Sequence, residues 1–195
     1  MFSLRSLLLA FVLSVLAPVS LLAQFPMPTS RQLEDTQPAQ IHELVSKYCR
    51  LDYEGARLNP QGWSKIEPLV AWKSAPDFTK INVVARYTVA MPGPSSSHGK
   101  FNVSVHYRLL GTFDLATGYV TEPPGTDQEV SFVVITDNNE TRIADAENTL
   151  PHPSRATMLK WLNEKLSNAP DEAAKKRCQD AIQQLTAQSA SPFAK

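Results

Sequence analysis

Four polar side chains recur at every second position in one stretch: Asn102, Ser104, His106 and Arg108. In an extended chain alternate residues point to the same side, so the four form a row on one face of a strand. An imidazole beside a guanidinium, with a carboxylate or phenol in reach, is an acid–base arrangement. Arg86 holds an equivalent polar position in an earlier alternating stretch. If the two stretches pair, Arg86, His106 and Arg108 converge into a binding face. The plainer reading is the wet side of a half-exposed antiparallel sheet.

A second cluster is Asp52, Tyr53, Glu54 and Arg57, at the end of a helical pattern. A carboxylate held near an apolar cavity becomes a base with a raised pKa. The same residues equally make a solvated helix end with local ion pairs. His106 and Asp52 are thus the candidate catalytic residues, neither within a catalytic motif. The other histidines, His42, His98 and His152, share no ligand spacing, and H-E-x-x-H and C-x-x-C are absent, so no metal site is expected. G-x-S-x-G, a Walker loop and G-x-G-x-x-G are missing too, which leaves no cofactor to expect.

The elements that must position these residues follow from periodicity. Ile41, Leu44, Val45, Tyr48 and Leu51 recur at helical spacing, which predicts a helix over residues 38–53. Thr36 would cap it, Pro38 would sit in its first turn and Gly55 would end it. Asn59-Pro60 starts a short helix carrying Trp63 and Ile66. Trp63 and Trp72 read as core anchors, with ligand stacking as the sharper alternative. Alternation then predicts strands over residues 81–89 and 100–113, with Gly111 marking a bend. A short strand over 119–122 follows. Residues 130–136 are nearly all apolar or β-branched and read as a central strand buried on both faces, and residues 141–147 as the last strand. Ser154 caps a helix with Met158, Leu159, Leu162 and Leu166 in one stripe. Pro170 opens a final helix with Cys178, Ala181 and Leu185 on one face.

The fold class is therefore α+β: a curved antiparallel sheet of about five strands on N-terminal helices, with two added C-terminal helices. Ahead of it, Arg5, the apolar run over 7–17, Pro18 and the small residue Ala23 make a secretory leader over residues 1–23. Residues 24–37 read as a flexible lead-in, 38–188 as a single domain and 189–195 as a disordered tail. The expected location is periplasmic or extracellular, and no later segment is apolar enough to span a membrane. The 195-residue chain carries 19 basic and 19 acidic side chains, so it has no long-range field to gather nucleic acid. An exported compartment permits a disulfide between Cys49 and Cys178; two separate buried thiols are the alternative.

The stretch KYCRLDYEGARLNPQGWSKIEPLVAW over residues 47–72, together with the order of elements, resembles uncharacterised exported bacterial proteins of the nuclear transport factor 2-like superfamily. The resemblance covers residues 38–150 and matches no catalytic signature. A cystatin-like sheet wrapping a helix fits the same pattern. The resemblance implies a cone-shaped fold with a pocket between sheet and helices, used for small apolar ligands, for isomerase or dehydratase chemistry, or for homodimerisation through the sheet face. The expected function is a non-catalytic domain that binds a small apolar ligand or a protein partner. The alternative is a small-pocket acid–base enzyme.

Overall fold

The computed structural model describes residues 30–93, 99–118, 120–121, 126–137, 140–146 and 150–187. The leader over 1–23, the start of the lead-in, His98 and the tail over 189–195 lie outside the described residues.

Helix α1 runs from Ser30 to Tyr53. Ile41, Val45, Tyr48, Cys49 and Asp52 are its buried residues, three or four apart along one face. The helix begins eight residues before the expected start and carries Pro38 inside it. A proline there removes one intrahelical bond, so the first turns rest on the remaining ones. Gly55 ends the helix as the pattern predicts, in the left-handed conformation at φ 85°. A Cβ on Gly55 would lie 2.5 Å from Thr157 Cγ2, so close packing and backbone conformation both require glycine there. A 3-10 turn over Ala56–Leu58 leads into helix α2, Pro60–Ile66. Asn59 stands before Pro60 in extended conformation, but its side chain makes no capping bond.

The strands are β1 (Lys80–Val89), β2 (Lys100–Asp114), β3 (Val120–Thr121), β4 (Asp127–Asp137) and β5 (Glu140–Ala146). Four of them form an antiparallel sheet in the order β1-β2-β4-β5. Among the described residues the expected fifth strand is two residues, β3, paired with the end of β2. Two irregularities bend the β1–β2 pair. Val83 faces Gly111 and Val84 faces Leu109, so Leu110 is an extra residue beside the predicted bend. Ala85 is the extra residue on β1, between Val84 and Arg86. Such insertions kink a strand and increase its twist.

Both sheet edges are covered. Asn82 and Val84 donate their N–H groups to the carbonyls of Pro151 and Pro153, at 2.9 and 3.0 Å. On the other edge Ala71 N–H donates to the Ile143 carbonyl at 2.8 Å. Covering these backbone groups removes a template for unwanted strand pairing.

Helix α3 (Arg155–Ser167) follows, capped by Ser154, whose Oγ accepts the Thr157 N–H at 3.0 Å. Helix α4 spans Glu172–Ala187. Two hydrophobic clusters result. The first packs α1 and Ile66, Leu69 and Val70 on Val103, Val105, Tyr107, Val130, Phe132 and Val134. The second packs Met158, Leu162, Ala181 and Leu185 of α3 and α4 on Ile81, Val83, Leu110 and Phe113. Strand β4 departs from the expected burial on both faces. Val130, Phe132 and Val134 are buried, whereas Ser131, Val133 and Ile135 are half-exposed. Its β-branched outer positions satisfy strand propensity without a layer above them. No helix among the described residues is long and apolar enough to cross a membrane.

Candidate functional site

The polar row predicted on β2 forms as drawn, and β1 pairs beside it. Arg86 lies opposite Arg108, and Thr88 opposite His106. On the other side Glu129 faces His106 and Asp127 faces Arg108. Arg108 Nη1 donates to Asp127 Oδ2 at 3.0 Å. Arg86 and His106 are exposed, and the Asp127 side chain is 75 % exposed. These residues share one surface, and none of them lines the groove described below. An open surface leaves charges in high dielectric, where they act weakly on a substrate.

Asp52 meets the opposite environment. It is 1 % exposed, at the inner end of α1. Its Oδ2 accepts the backbone N–H of His152 at 2.9 Å, lies 3.5 Å from His152 Nδ1 and 3.9 Å from Arg57 Nη1. Its Oδ1 is buried with no hydrogen-bond partner among the described residues. Arg57 also donates to the Leu150 carbonyl at 3.0 Å and to the Tyr48 hydroxyl at 3.4 Å.

The network fixes which nitrogen of His152 carries the proton. Thr112 donates its hydroxyl to Asn82 Oδ1 at 2.8 Å, which turns Asn82 Nδ2 toward Gln128 Oε1 and His152 Nε2, at 3.1 and 3.4 Å. An amide nitrogen only donates, so Nε2 is the acceptor and Nδ1, 3.5 Å from Asp52 Oδ2, is left to carry the ring proton. The ring stacks on Tyr107, centroids 4.1 Å apart. The Tyr107 hydroxyl in turn meets Cys49 Sγ at 3.4 Å. Burial pushes the Cys49 thiol up to about 12. Burial also holds Tyr48 and Tyr107 above the usual tyrosine range, with Arg57 partly opposing the rise at Tyr48. A thiol so raised is not a nucleophile at neutral pH. The cluster joins α1 to the segment before α3, and its carboxylate and imidazole face protein groups.

Cys49 and Cys178 are both free. Cys49 belongs to the first cluster and Cys178 packs on the second, so no disulfide closes the chain here. The space between α1 and the sheet, where the family resemblance implies a pocket, is filled by side chains. Tyr48 meets Phe132 edge-on at 5.5 Å, and His152 occupies the space beside Tyr107.

A groove of about 720 Å³ opens instead between α2, the segment before β1, the end of β2 and the α3–α4 pair. Trp63, Phe78, Phe113 and Trp161 form its aromatic walls. Trp161 Nε1 donates to the Leu58 carbonyl at 3.2 Å, and its ring meets Phe113 edge-on at 6.3 Å. One wall is thus held in place by a hydrogen bond and a ring contact. Leu115, an exposed large apolar side chain, lies on the same lining. Lys165, Arg177 and Cys178 complete it from α3 and α4. Of the two tryptophans weighed from the sequence, Trp63 reaches the groove and Trp72 packs on the first cluster. Phe113 and Phe78 carry no site signal in the sequence. Trp161 flanks the apolar stripe of its helix, and that off-stripe aromatic was the available signal.

No group of three or more His, Cys, Asp or Glu among the described residues is placed to hold a metal ion. Compared with protein-family models, curated proteins and solved structures, the chain matches none.

Proposed function

We propose that this chain is an exported, non-catalytic binding protein of the nuclear transport factor 2-like kind, and that its ligand is a small molecule with a mainly apolar body. The leader composition supports export, and the order of helices and strands supports the fold kinship. The groove carries the functional reading. Its volume of about 720 Å³ falls within the range of small-molecule sites, about 300–1,000 Å³, and its mostly apolar lining is of the kind such sites use. The enzyme alternative has less support: His106 stands on an open surface, and Asp52 faces protein groups inside the core.

The test is titration with the neutral apolar dye N-phenylnaphthylamine, read by energy transfer from tryptophan. Saturable binding is expected, weakened by about tenfold or more in Trp161→Ala through loss of an aromatic wall. Unsaturable binding, or equal binding by the Trp161→Ala protein, would overturn the proposal.

A further inference from the structure

We infer that the groove's ligand is an anionic amphiphile, a long-chain carboxylate whose head sits between Lys165 and Arg177 and whose chain runs along Phe113 and Trp161; this rests on the ligand-binding reading above. Four charged residues line the groove: Arg57, Asp77, Lys165 and Arg177. Arg57 is turned inward, onto Leu150, Tyr48 and Asp52. Lys165 and Arg177 have no ion-pair partner among the described residues. The Lys165 ammonium stands 5.3 Å from the Trp161 ring centroid, at the aromatic wall itself. Arg177 is seated by its stem. A Cβ on Gly118 would fall 2.8 Å from Arg177 Cβ and 3.1 Å from its Cγ, so the glycine leaves the space that this stem fills.

The two cations also act on one point. Both oppose the upward push that burial gives the Cys178 thiol, and Cys178 lines the groove. Two unpaired positive charges beside an apolar slot complement a molecule with one anionic end and one apolar end. A neutral ligand would cover these cations without replacing the water it displaces. A ligand with several charges would meet too few cations and too much aromatic surface.

The experiment compares dodecanoate with dodecanol by displacement of N-phenylnaphthylamine, at mildly alkaline pH and low salt. The acid is expected to bind about tenfold more tightly, the scale of a charge-assisted contact. The gap should shrink as salt is raised. It should close in Lys165→Gln/Arg177→Gln, as the affinity for the acid falls to that for the alcohol. Glutamine keeps the stem against Gly118, and Lys165→Gln alone, at an exposed position, serves if the double variant fails to fold. Bound acid should also slow alkylation of Cys178. Equal affinity for acid and alcohol would overturn the head-group assignment and leave the groove reading standing. A gap that persists in the variants would overturn the assignment to these two cations. If neither amphiphile binds and Cys178 alkylation is unchanged, both readings fall.

Discussion

Replacing Asp52 by asparagine keeps the shape of the side chain and removes its charge. In the native protein one oxygen, Oδ2, serves the His152 N–H at 2.9 Å, His152 Nδ1 at 3.5 Å and Arg57 Nη1 at 3.9 Å. Two unit charges about 4 Å apart attract by about 4 kcal/mol at an effective dielectric of about 20. Breaking a buried pair on one side costs about 3–5 kcal/mol, because the remaining charge stays buried. Arg57 keeps the Leu150 carbonyl and the Tyr48 hydroxyl, which places the expected loss at the lower end, about 3 kcal/mol. The backbone contact adds little, since asparagine's carbonyl oxygen can still accept the His152 N–H. Urea unfolding of the Asp52→Asn protein measures the loss as a lower midpoint at unchanged slope. Asp52→Asn/Arg57→Gln should lose less than the sum of its single changes, with a coupling of about 1–3 kcal/mol. Amide exchange at His152 and Ser154 should accelerate, because that segment is held to α1 through this carboxylate. A loss below about 1 kcal/mol, or strict additivity, would refute the view that the Asp52–Arg57–His152 cluster ties the C-terminal helices to α1.

Three further outcomes are expected. A thiol reagent should modify one cysteine in the native protein, Cys178, and two after denaturation without reductant; a count of none would reveal the disulfide. Stability should fall as pH rises from 9, the ordinary value for Cys49, toward about 12, its value in the fold. There the unfolded thiol has lost its proton and the native one has not, so unfolding releases protons and the slope is negative; flat stability over that range in Tris-free buffer, checked by circular dichroism, would contradict it. Gly55→Ala should cost about 2 kcal/mol or more, since φ 85° is disfavoured by about 1–2 kcal/mol for other residues and the new methyl meets Thr157 at 2.5 Å. A melting temperature within a degree of the parent would show that the backbone relaxes there.

The helices and strands were legible because their periodicities are local. The alternation from Phe101 to Leu109 and the stripe of Met158 and Leu162 each report a face that the fold buries. The start of α1 was misread because Pro38 carries a strong boundary signal, and a helix can run through a proline by giving up one bond. The doubly buried reading of β4 failed for a related reason. Val133 and Ile135 are apolar, but sequence alone does not say whether a layer covers them, and here none does fully.

The site was harder to read, and the bulges explain part of the difficulty. His106 and Arg108 share a strand face with Leu110 by simple alternation, yet Leu110 is buried under α3 and α4 while His106 is exposed. One sheet face is therefore wet at one end and covered at the other. The extra residue at Leu110 then sends Thr112 to the Asn82–His152 side and Phe113 to the groove. A strict alternation through β2 would place Thr112 with His106 and miss both assignments. The groove itself draws on α2, the segment before β1, the end of β2 and both C-terminal helices. Its walls are single aromatic residues in segments up to a hundred positions apart, so no window of sequence contains them. What a window does contain, the polar row on β2, is conspicuous because it faces water. Of the groove's aromatic walls, Phe113 is the one that follows the bend, and the extra residue at Leu110 is the feature that turns it there.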